Sequence, residues 1–289
     1  MTMDVILDRR RHAYRPDLAD ENLRGHVVAE RYTVGAPARI SRPVVSVHRA
    51  PSEDEMQISQ ALFGEEVLVF ETANGWAWIQ LLADQYVGYV RASALAYEVA
   101  PATHRVAAHG TYIYPKADLK SVPAIALPLN ARLSVIDASG DYFALATGGY
   151  VYAPHAAPLG EMAYDFVSVA ERFLHTPYLW GGKSPAGIDC SGLVQVALQA
   201  CGFAAPRDSD MQEAELGVPL RINDLNGPLD GLQRGDLVFW KGHVGIMCNE
   251  TDLLHANGYH MMTVIEPLHV AAERIALKES PITVIKRLQ

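Results

Sequence analysis

The hydrophobic pattern of this 289-residue chain changes near Gly160. From about Ser41 up to that point, short β-prone runs alternate with turn residues, which predicts small antiparallel β units. Beyond it, apolar residues recur first at helical spacing and then in short β-prone runs. This second pattern predicts helices followed by an antiparallel sheet, so we expect an α+β domain over residues 160–289.

Residues 41–159 contain a weak internal repeat. Gly88–Val90 recurs as Gly149–Val151, and similar correspondences precede it in both copies. The strand candidates of the first copy are Val44–His48, Glu66–Phe70, Trp76–Leu81 and Gly88–Arg91. Two copies of several short strands resemble tandem bacterial SH3-like barrels, here over residues 41–98 and 99–159. The alternative is a pair of unrelated β segments.

Residues 1–40 are charged and mixed, and we expect them to form a lead-in segment that packs on a larger body. Asp17 is placed to cap a short helix that ends at Leu23. The first eight residues contain two acids and are followed by Arg9–Arg11 rather than by an apolar core. Secretory signal peptides do not have that pattern, so we expect a cytoplasmic protein.

Composition argues against two classes of partner. The chain has 24 basic and 33 acidic residues and a net charge of −9, whereas binding to nucleic acid requires a basic surface. Its longest apolar runs fall far short of the roughly 20 residues that span a bilayer, so we expect no membrane partner. The three cysteines are an odd number without a Cys-x-x-Cys pattern, which indicates free thiols of a reducing compartment.

Two helices and five strands are predicted after Gly160. Helical spacing predicts one helix over Glu161–His175, stopped by Pro177, and a second over Cys190–Cys201, ended by Gly202. The strands predicted to follow are Leu237–Trp240, His243–Cys248, Leu253–Ala256, Met261–Ile265 and Ile282–Arg287.

Cys190 is the candidate nucleophile. A glycine-rich loop delivers it to the first turn of a helix, where the positive helix end is expected to stabilise a thiolate and lower the thiol pKa. Gly192 would let a substrate or a neighbouring backbone approach closely. We expect Cys201 and Cys248 to be small buried core residues instead.

His243 and His255 are the candidates to activate that thiol. A cysteine nucleophile needs a base, and glycines around His243 leave room for a close approach. His255 is on the next predicted strand, where it could meet His243 and orient its ring. Among apolar neighbours, His255 is alternatively a satisfied core histidine. A zinc site of one Cys and two His would lack short ligand spacing and an evident fourth ligand.

The C-terminal region carries four sequence motifs in one order. They are Tyr-x-Trp-Gly-Gly, Asp-Cys-Ser-Gly-Leu-Val-Gln, Arg-Gly-Asp-Leu-Val-Phe-Trp with Gly-His-Val-Gly-Ile, and Leu-His-Ala. Together they resemble the NlpC-type cell-wall cysteine peptidases, which implies a papain-like fold with a permuted order of elements. With two SH3-like barrels in front, the chain resembles the γ-D-glutamyl-L-diamino acid endopeptidases. Those enzymes hydrolyse peptidoglycan-derived peptides between γ-D-glutamate and a diamino acid such as meso-diaminopimelate or lysine.

The resemblance implies roles for the candidate triad. Cys190 would form an acyl-enzyme, and His243 would act first as base and then as acid to the leaving amine. His255 would hold the productive tautomer of His243. The amide of Cys190 and the hydroxyl of Tyr178 would stabilise the oxyanion.

Further residues are implied to bind substrate. By the resemblance, Asp189 would meet the free L-alanine amine, and Ser191 and Ser209 would meet the D-glutamate α-carboxylate. Trp180 would form a wall near the peptide. Trp180 is alternatively a core residue, and Ser209 is alternatively an N-cap before a helix at residues 211–216.

The first barrel is also expected to contribute to the pocket. Glu65 and Tyr86 match the pair of residues that captures the N-terminal amine in the enzymes that this chain resembles. A carboxylate beside a buried ammonium leaves both charges paired. Glu66 is adjacent, and an exposed acid at a strand edge is alternatively only solvated surface.

The expected function is therefore that of a cytoplasmic cysteine endopeptidase without a cofactor. Its partners would be murein peptides such as L-Ala-γ-D-Glu-diamino acid, which it would recycle. One alternative is a secreted lytic hydrolase whose barrels anchor it to the cell wall. Another is a scaffold that binds peptides without catalysis.

Overall fold

The computed structural model describes residues 7–98, 100–220 and 231–288. Residues 1–6 of the predicted lead-in segment and Val99 at the predicted start of the second barrel lie outside the described residues. The chain divides into two compact units, Met1–Leu159 and Gly160–Gln289. None of the helices within the described ranges is long and apolar enough to cross a membrane.

The lead-in segment packs on the first barrel. Its strands β1 (Leu18–Asp20) and β2 (Arg31–Thr33) pair in parallel. The guanidinium of Arg15 lies over the ring of Trp78, 4.3 Å from its centroid. The buried apolar side chains that join the segment to the barrel are Ala13, Leu18, Phe70, Trp78 and Val87.

The short helix predicted to start at Asp17 is wrong. Residues 18–20 are extended, and only Glu21–Leu23 form a single 3₁₀ turn. Asp20 caps this turn with its side chain. Asp17 does not cap it because its carboxylate is paired with Arg15, at 2.7 Å.

The first barrel is one seven-stranded sheet. Its strands are β3 (Ala36–Ile40), β4 (Val44–His48), β5 (Gln57–Leu62), β6 (Glu66–Ala73), β7 (Trp76–Leu81), β8 (Val87–Arg91) and β9 (Leu95–Ala96), with a 3₁₀ turn at Ala92–Ala94. They pair in the order β5-β4-β8-β7-β6-β3-β9. Asn74 and Gly75 join β6 to β7 with φ of 51° and 80°, the left-handed pair that matches the strand twist in a two-residue hairpin.

The second barrel consists of three smaller sheets. Its strands are β10 (His104–Val106), β11 (Gly110–Ile113), β12 (Ile125–Pro128), β13 (Arg132–Leu133), β14 (Val135–Ser139), β15 (Tyr142–Leu145), β16 (Tyr150–Tyr152) and β17 (Ala156–Pro158), with a 3₁₀ turn at Ala153–His155. The sheets are β13-β10-β17, β11-β12 and β14-β15-β16.

The two barrels are joined by a shared core contact. Phe63 of the first barrel belongs to the buried cluster of the second, with Ile113 and Leu133 among its neighbours. The amide of Arg132 donates to the Phe63 carbonyl at 2.7 Å. Beside it, a Cβ on Gly64 would clash with the Arg132 carbonyl, so this close approach requires glycine.

Within its described residues, the C-terminal unit consists of four helices, a short two-stranded sheet and a six-stranded sheet. In chain order its elements are α1 (Phe166–Glu171), β18 (Lys183–Ser184), β19 (Gly187–Ile188), α2 (Cys190–Ala200), α3 (Ser209–Glu215), β20 (Val218–Pro219), β21 (Leu237–Trp240), β22 (His243–Met247), β23 (Asp252–Asn257), β24 (Met262–Pro267), α4 (Leu268–Lys278) and β25 (Ile282–Arg287). The sheet order is β20-β25-β21-β22-β23-β24. Almost all of α2 is buried, and it contacts β22 and β23.

Two helix predictions in this unit need correction. The helix predicted over Glu161–His175 is only α1, because Asp165 caps it by accepting from the Val167 amide at 2.9 Å, and His175 has a left-handed φ of 67°. Helix α4 was not predicted at all. Of its eleven residues only Leu268 and Ala271 are buried, which leaves a weak hydrophobic period in the sequence.

Candidate active site

Cys190 is the first residue of the buried helix α2. Asp189 forms the N-cap, its carboxylate accepting from the amide of Gly192 at 2.7 Å. The Cys190 side chain is buried, and its sulfur accepts hydrogen bonds from the backbone amides of Ser191 and Val244. Since Val244 directly follows His243 on β22, the sulfur lies beside the strand that carries the candidate base.

Gly192 allows the loop before Cys190 to close on the helix. A Cβ at this position would clash with the carbonyl oxygen of Gly182. The close approach is therefore made by the protein's own backbone, one of the two possibilities that the sequence suggested.

The two candidate histidines are in direct contact. His243 Nε2 lies 2.8 Å from His255 Nδ1, and the two ring centroids are 5.1 Å apart. His255 is fully buried, and His243 is 9% exposed. His255 therefore has a polar partner, so it is more than an isolated core histidine.

Two residues that the sequence did not indicate extend this contact. His255 Nε2 lies 2.8 Å from Glu266 Oε1 on β24, on the neighbouring strand of the sheet. Arg274 of α4 holds both oxygens of that carboxylate, at 2.6 and 2.7 Å. The series His243, His255, Glu266 and Arg274 therefore connects the candidate base to a partly buried ion pair.

The ion pair determines which ring nitrogens carry protons. Although burial opposes its ionisation, hydrogen bonds from Arg274 and His255 lower the pKa of Glu266 to about 2. The ionised Glu266 only accepts, so His255 Nε2 must carry a proton, even though the side-chain nitrogen of Asn257 also lies 3.0 Å away. Neutral His255 then accepts at Nδ1 from the N–H at His243 Nε2. This leaves His243 Nδ1 as the unprotonated nitrogen that can take a proton from the thiol.

The predicted lowering of the thiol pKa is wrong. Burial, together with the neighbouring Asp189 carboxylate, raises the pKa of Cys190 to about 12. Burial, with His255 and Arg274 nearby, lowers the pKa of His243 to about 3. Desolvation disfavours both charged forms and outweighs the helix N-terminus. The resting pair is therefore a neutral thiol beside a neutral imidazole, which suits general-base activation during attack.

Asp189 is held by groups of its own unit. One oxygen accepts from Gly192, and the other accepts from the Gly181 amide at 2.8 Å and from Arg207 at 2.6 Å. Arg207 is 1% exposed and also donates to the Ser191 hydroxyl at 2.9 Å. An amine that binds Asp189 must share the carboxylate with this buried guanidinium.

A cavity of about 440 Å³ opens beside His243. Tyr178 and Trp180 line it together with residues of β23 and of α4. Burial, followed by the influence of Cys190 and Asp189, raises the pKa of Tyr178, so its hydroxyl stays protonated and able to donate. Trp180 is 59% exposed, so the alternative that it is a core residue is wrong.

Ser209 is the first residue of α3 and is partly buried. The N-cap position of this helix belongs to Asp208, so the alternative role of Ser209 as the N-cap is wrong. The contact of Ser209 with a substrate carboxylate stays a prediction.

Glu65 and Tyr86 belong to the N-terminal unit, and both are buried. Glu65 Oε2 accepts from the amide of Leu62 at 2.7 Å. Glu66 is exposed and paired with Arg39. The solvated acid of this pair is therefore Glu66, while the predicted contact of Glu65 and Tyr86 with substrate stays a prediction.

The three cysteines all lie in the described ranges, and none of them forms a disulfide. Cys201 and Cys248 are partly exposed, so the expectation that both are core residues is wrong. Burial, followed by the nearby Glu171, raises the pKa of Cys248 to about 12. Within the described ranges, no group of three His, Cys, Asp or Glu side chains could hold a metal ion.

Three residues that contact the candidate site residues were not predicted from the sequence: Arg207, Glu266 and Arg274. Their partners lie 18, 11 and 8 positions away in the chain, beyond any local spacing rule. The alternating pattern of β24 gave one usable signal. His255 pairs in register with Val264, so Glu266, two residues on, projects from the same face of the sheet as His255.

Comparisons with known proteins show which families the chain matches. Residues 47–95 match the bacterial dipeptidyl-peptidase SH3 domain, and residues 175–274 match the NlpC/P60 family. The chain is 26% identical over 238 residues to dipeptidyl-peptidase 6 of Lysinibacillus sphaericus, covering 74% of this chain and 85% of that protein. It is 29% identical over 230 residues to the gamma-D-glutamyl-L-lysine dipeptidyl-peptidase of Bacillus subtilis (strain 168), covering 70% and 73%.

A solved structure extends the similarity to the fold. The crystal structure of an NlpC/P60 family protein from Bacillus cereus ATCC 10987 matches with a TM-score of 0.71 and 20% identity, covering 88% of this chain and 99% of that one. The predicted family resemblance, the papain-like fold with SH3-like barrels before it, and the cysteine peptidase class are therefore confirmed.

Proposed function

Because the chain carries an NlpC/P60 cysteine peptidase domain behind a bacterial SH3 domain, we propose a specific reaction for it. The enzyme hydrolyses the bond between γ-D-glutamate and a diamino acid in peptidoglycan-derived peptides with a free N-terminal L-alanine. The observation that carries the proposal is the hydrogen-bonded His243–His255 pair beside the buried Cys190 thiol. Relatives named as peptidases for γ-D-glutamyl-L-lysine support the choice of bond.

The first half of the reaction follows from the proton positions. His243 Nδ1 takes the proton of the Cys190 thiol as the sulfur attacks the γ-carbonyl carbon. The amide of Cys190 and the hydroxyl of Tyr178 donate to the oxyanion, each donor contributing about 3 kcal/mol to the transition state. His243 then gives its proton to the leaving amine as the C–N bond breaks, which leaves a thioester on Cys190.

The second half returns the enzyme to its resting state. A water molecule gives a proton to His243 Nδ1 and attacks the thioester carbon. The C–S bond breaks, the sulfur recovers its proton, and L-Ala-γ-D-Glu is released. Throughout the reaction, the proton on His255 Nε2 stays hydrogen-bonded to Glu266. His255 Nδ1 therefore accepts from His243 Nε2 and stabilises the transient His243 imidazolium.

One buried positive charge supports recognition of the D-glutamate α-carboxylate. The Ser191 hydroxyl accepts from Arg207, and its own proton makes only a long contact of 3.4 Å to Asp189. That proton is available to a carboxylate, and the hydrogen bond from Arg207 makes the hydroxyl a stronger donor. On this basis Ser191 contacts the α-carboxylate, with Ser209 as its predicted second donor.

The free amine and the cellular location belong to the same proposal. Asp189, Glu65 and Tyr86 are the residues proposed to hold the L-alanine ammonium, and the two carboxylates are buried as a paired charge requires. Three free thiols fit a reducing compartment, so we place the enzyme in the cytoplasm as a recycler of released peptides.

The experiment compares L-Ala-γ-D-Glu-diaminopimelate with its N-acetylated form and with intact sacculi. The free peptide should be cut with a kcat/KM at least about tenfold above that of the blocked peptide, since acetylation removes the positive charge that the proposed carboxylates bind. Glu65→Gln and Tyr86→Phe should reduce the ratio of kcat/KM between the free and the N-acetylated peptide. Sacculi cut as fast as the free peptide would instead identify a lytic hydrolase, and binding without hydrolysis would identify a scaffold.

A further inference from the structure

Under the proposed function, the cavity beside His243 lies on the leaving-group side of the scissile bond. His243 must reach the departing nitrogen to protonate it, and His243 itself lines the cavity. The proposed acyl-side residues Asp189, Ser191 and Ser209 do not line it. Under the proposed function, the residue that enters this cavity is therefore the diamino acid.

Two side chains of opposite charge lie at the C-terminal end of α4. Lys278 is the last residue of the helix and Glu279 follows it, and both line the cavity. Across the described residues, neither side chain forms a hydrogen bond or an ion pair, and the Lys278 ammonium contacts only the Tyr259 ring, 5.4 Å from its centroid. The third charged residue of the cavity, Arg274, is already paired with Glu266.

Glu279 lines the same cavity as Tyr178, the residue proposed to donate to the oxyanion. The negative C-terminal end of an eleven-residue helix lies at the same place, and both features favour a cation. The exposed ring of Trp180 adds an apolar and electron-rich wall.

From this arrangement we propose that Glu279 binds the side-chain ammonium of the diamino acid and that Lys278 binds its carboxylate. The leaving residue carries both groups, separated by an aliphatic chain that can lie along Trp180. The enzyme therefore selects a diamino acid over a neutral residue of similar length. This selectivity rests on the proposed function, because it concerns the residue that the same reaction releases.

The test uses L-Ala-γ-D-Glu-L-lysine and L-Ala-γ-D-Glu-L-norleucine, which differ in the terminal ammonium. The wild-type enzyme should favour the lysine peptide in kcat/KM by about tenfold, as expected for one charge-assisted contact. Glu279→Gln should reduce this ratio to about twofold or less. High salt should also reduce the ratio in the wild type, because the carboxylate is exposed.

Glu273→Gln is the matched control. It makes the same charge change on helix α4, which Glu279 directly follows, but Glu273 does not line the cavity, so the ratio should stay at the wild-type value. For Lys278, a peptide ending in lysine amide replaces the carboxylate. The wild type should favour the acid over the amide by about fivefold, and Lys278→Gln should remove that preference.

The outcomes separate the two levels of the proposal. Equal cutting of the lysine and norleucine peptides by the wild type, or an unchanged ratio in Glu279→Gln, overturns the role of Glu279 and leaves the proposed function standing. Failure of the wild type to cut these two peptides and the diaminopimelate peptide overturns the proposed function itself.

Discussion

Two of the carboxylate–arginine pairs in the catalytic domain lie next to the proposed catalytic residues and have different roles. Asp189–Arg207 lies beside the nucleophile, and Glu266–Arg274 lies behind the histidines, each with a closest N–O distance of 2.6 Å. The Asp189 carboxylate also accepts hydrogen bonds from backbone amides of the loop and helix around Cys190. Glu266 directs its remaining hydrogen bond to His255.

The difference shows what each pair contributes. The first pair is almost completely buried and ties together the backbone that presents the thiol, so its main effect is on folding. The second pair is partly exposed and sets the tautomers of two histidines, so its main effect is on proton transfer. Variants that remove one member of each pair should therefore separate stability from catalysis.

Removal of the nucleophile gives the largest expected effect. Cys190→Ala should lower kcat by about 10⁴-fold or more while the fold is retained, because no other group can form the thioester. Steady-state kinetics with the tripeptide would measure this, with Cys201→Ala as the control at near wild-type rate. An unchanged rate in Cys190→Ala would show that Cys190 is not the nucleophile.

Loss of Arg207 should be costly for stability. Arg207→Met leaves the Asp189 carboxylate buried without its cation, and the free energy of unfolding should fall by about 3–5 kcal/mol. Urea denaturation measures the change. Arg274→Met is the matched variant of the more exposed pair and should cost markedly less. Equal losses in the two variants would contradict the structural role given to the first pair.

Loss of the Glu266 charge should act on catalysis instead. Glu266→Gln offers His255 an amide in place of a carboxylate, so the His255 proton is no longer fixed at Nε2. We expect kcat to fall by about 10- to 100-fold with little change in KM or in the urea midpoint. Glu266→Asp, which keeps the charge, should recover part of the rate. A loss confined to KM would argue against the proton-orienting role.

The histidines also predict a modest pH dependence of stability. His243 has a folded pKa of about 3, below its unfolded value of about 6.5, so the unfolded chain binds more protons between those values. Stability should therefore fall as the pH falls through this range, by about 1 kcal/mol between pH 7 and 5.5. Urea midpoints at the two pH values test it. The loss of stability between the two pH values should be smaller in His243→Gln. An equal loss in that variant would mean that other groups cause the pH dependence.

The sequence predicted the parts of this molecule that depend on local pattern. Strands β4, β7, β21 and β25 have the predicted bounds, because runs of β-branched and aromatic residues lie between clear turn residues. The buried α2 begins at Cys190 as its glycine-rich approach indicated. The family motifs carried the peptidase class.

The missing parts depend on tertiary contacts. Burial decided the thiol pKa against the helix N-terminus, and burial is not visible in a local spacing. Helix α4 buries only a narrow apolar stripe, so its helical period is weak in the sequence. Neither the helix nor the role of Arg274 on it was therefore predicted. Arg207 and Glu266 find their partners only when separate segments meet in the folded domain.

The most direct test of the account is mass spectrometry of the products from L-Ala-γ-D-Glu-diaminopimelate, with wild-type enzyme and with Cys190→Ala. The wild type should release L-Ala-γ-D-Glu and free diaminopimelate, and Cys190→Ala should release neither. Cleavage at the L-Ala bond, or release of diaminopimelate by Cys190→Ala at the wild-type rate, would contradict it.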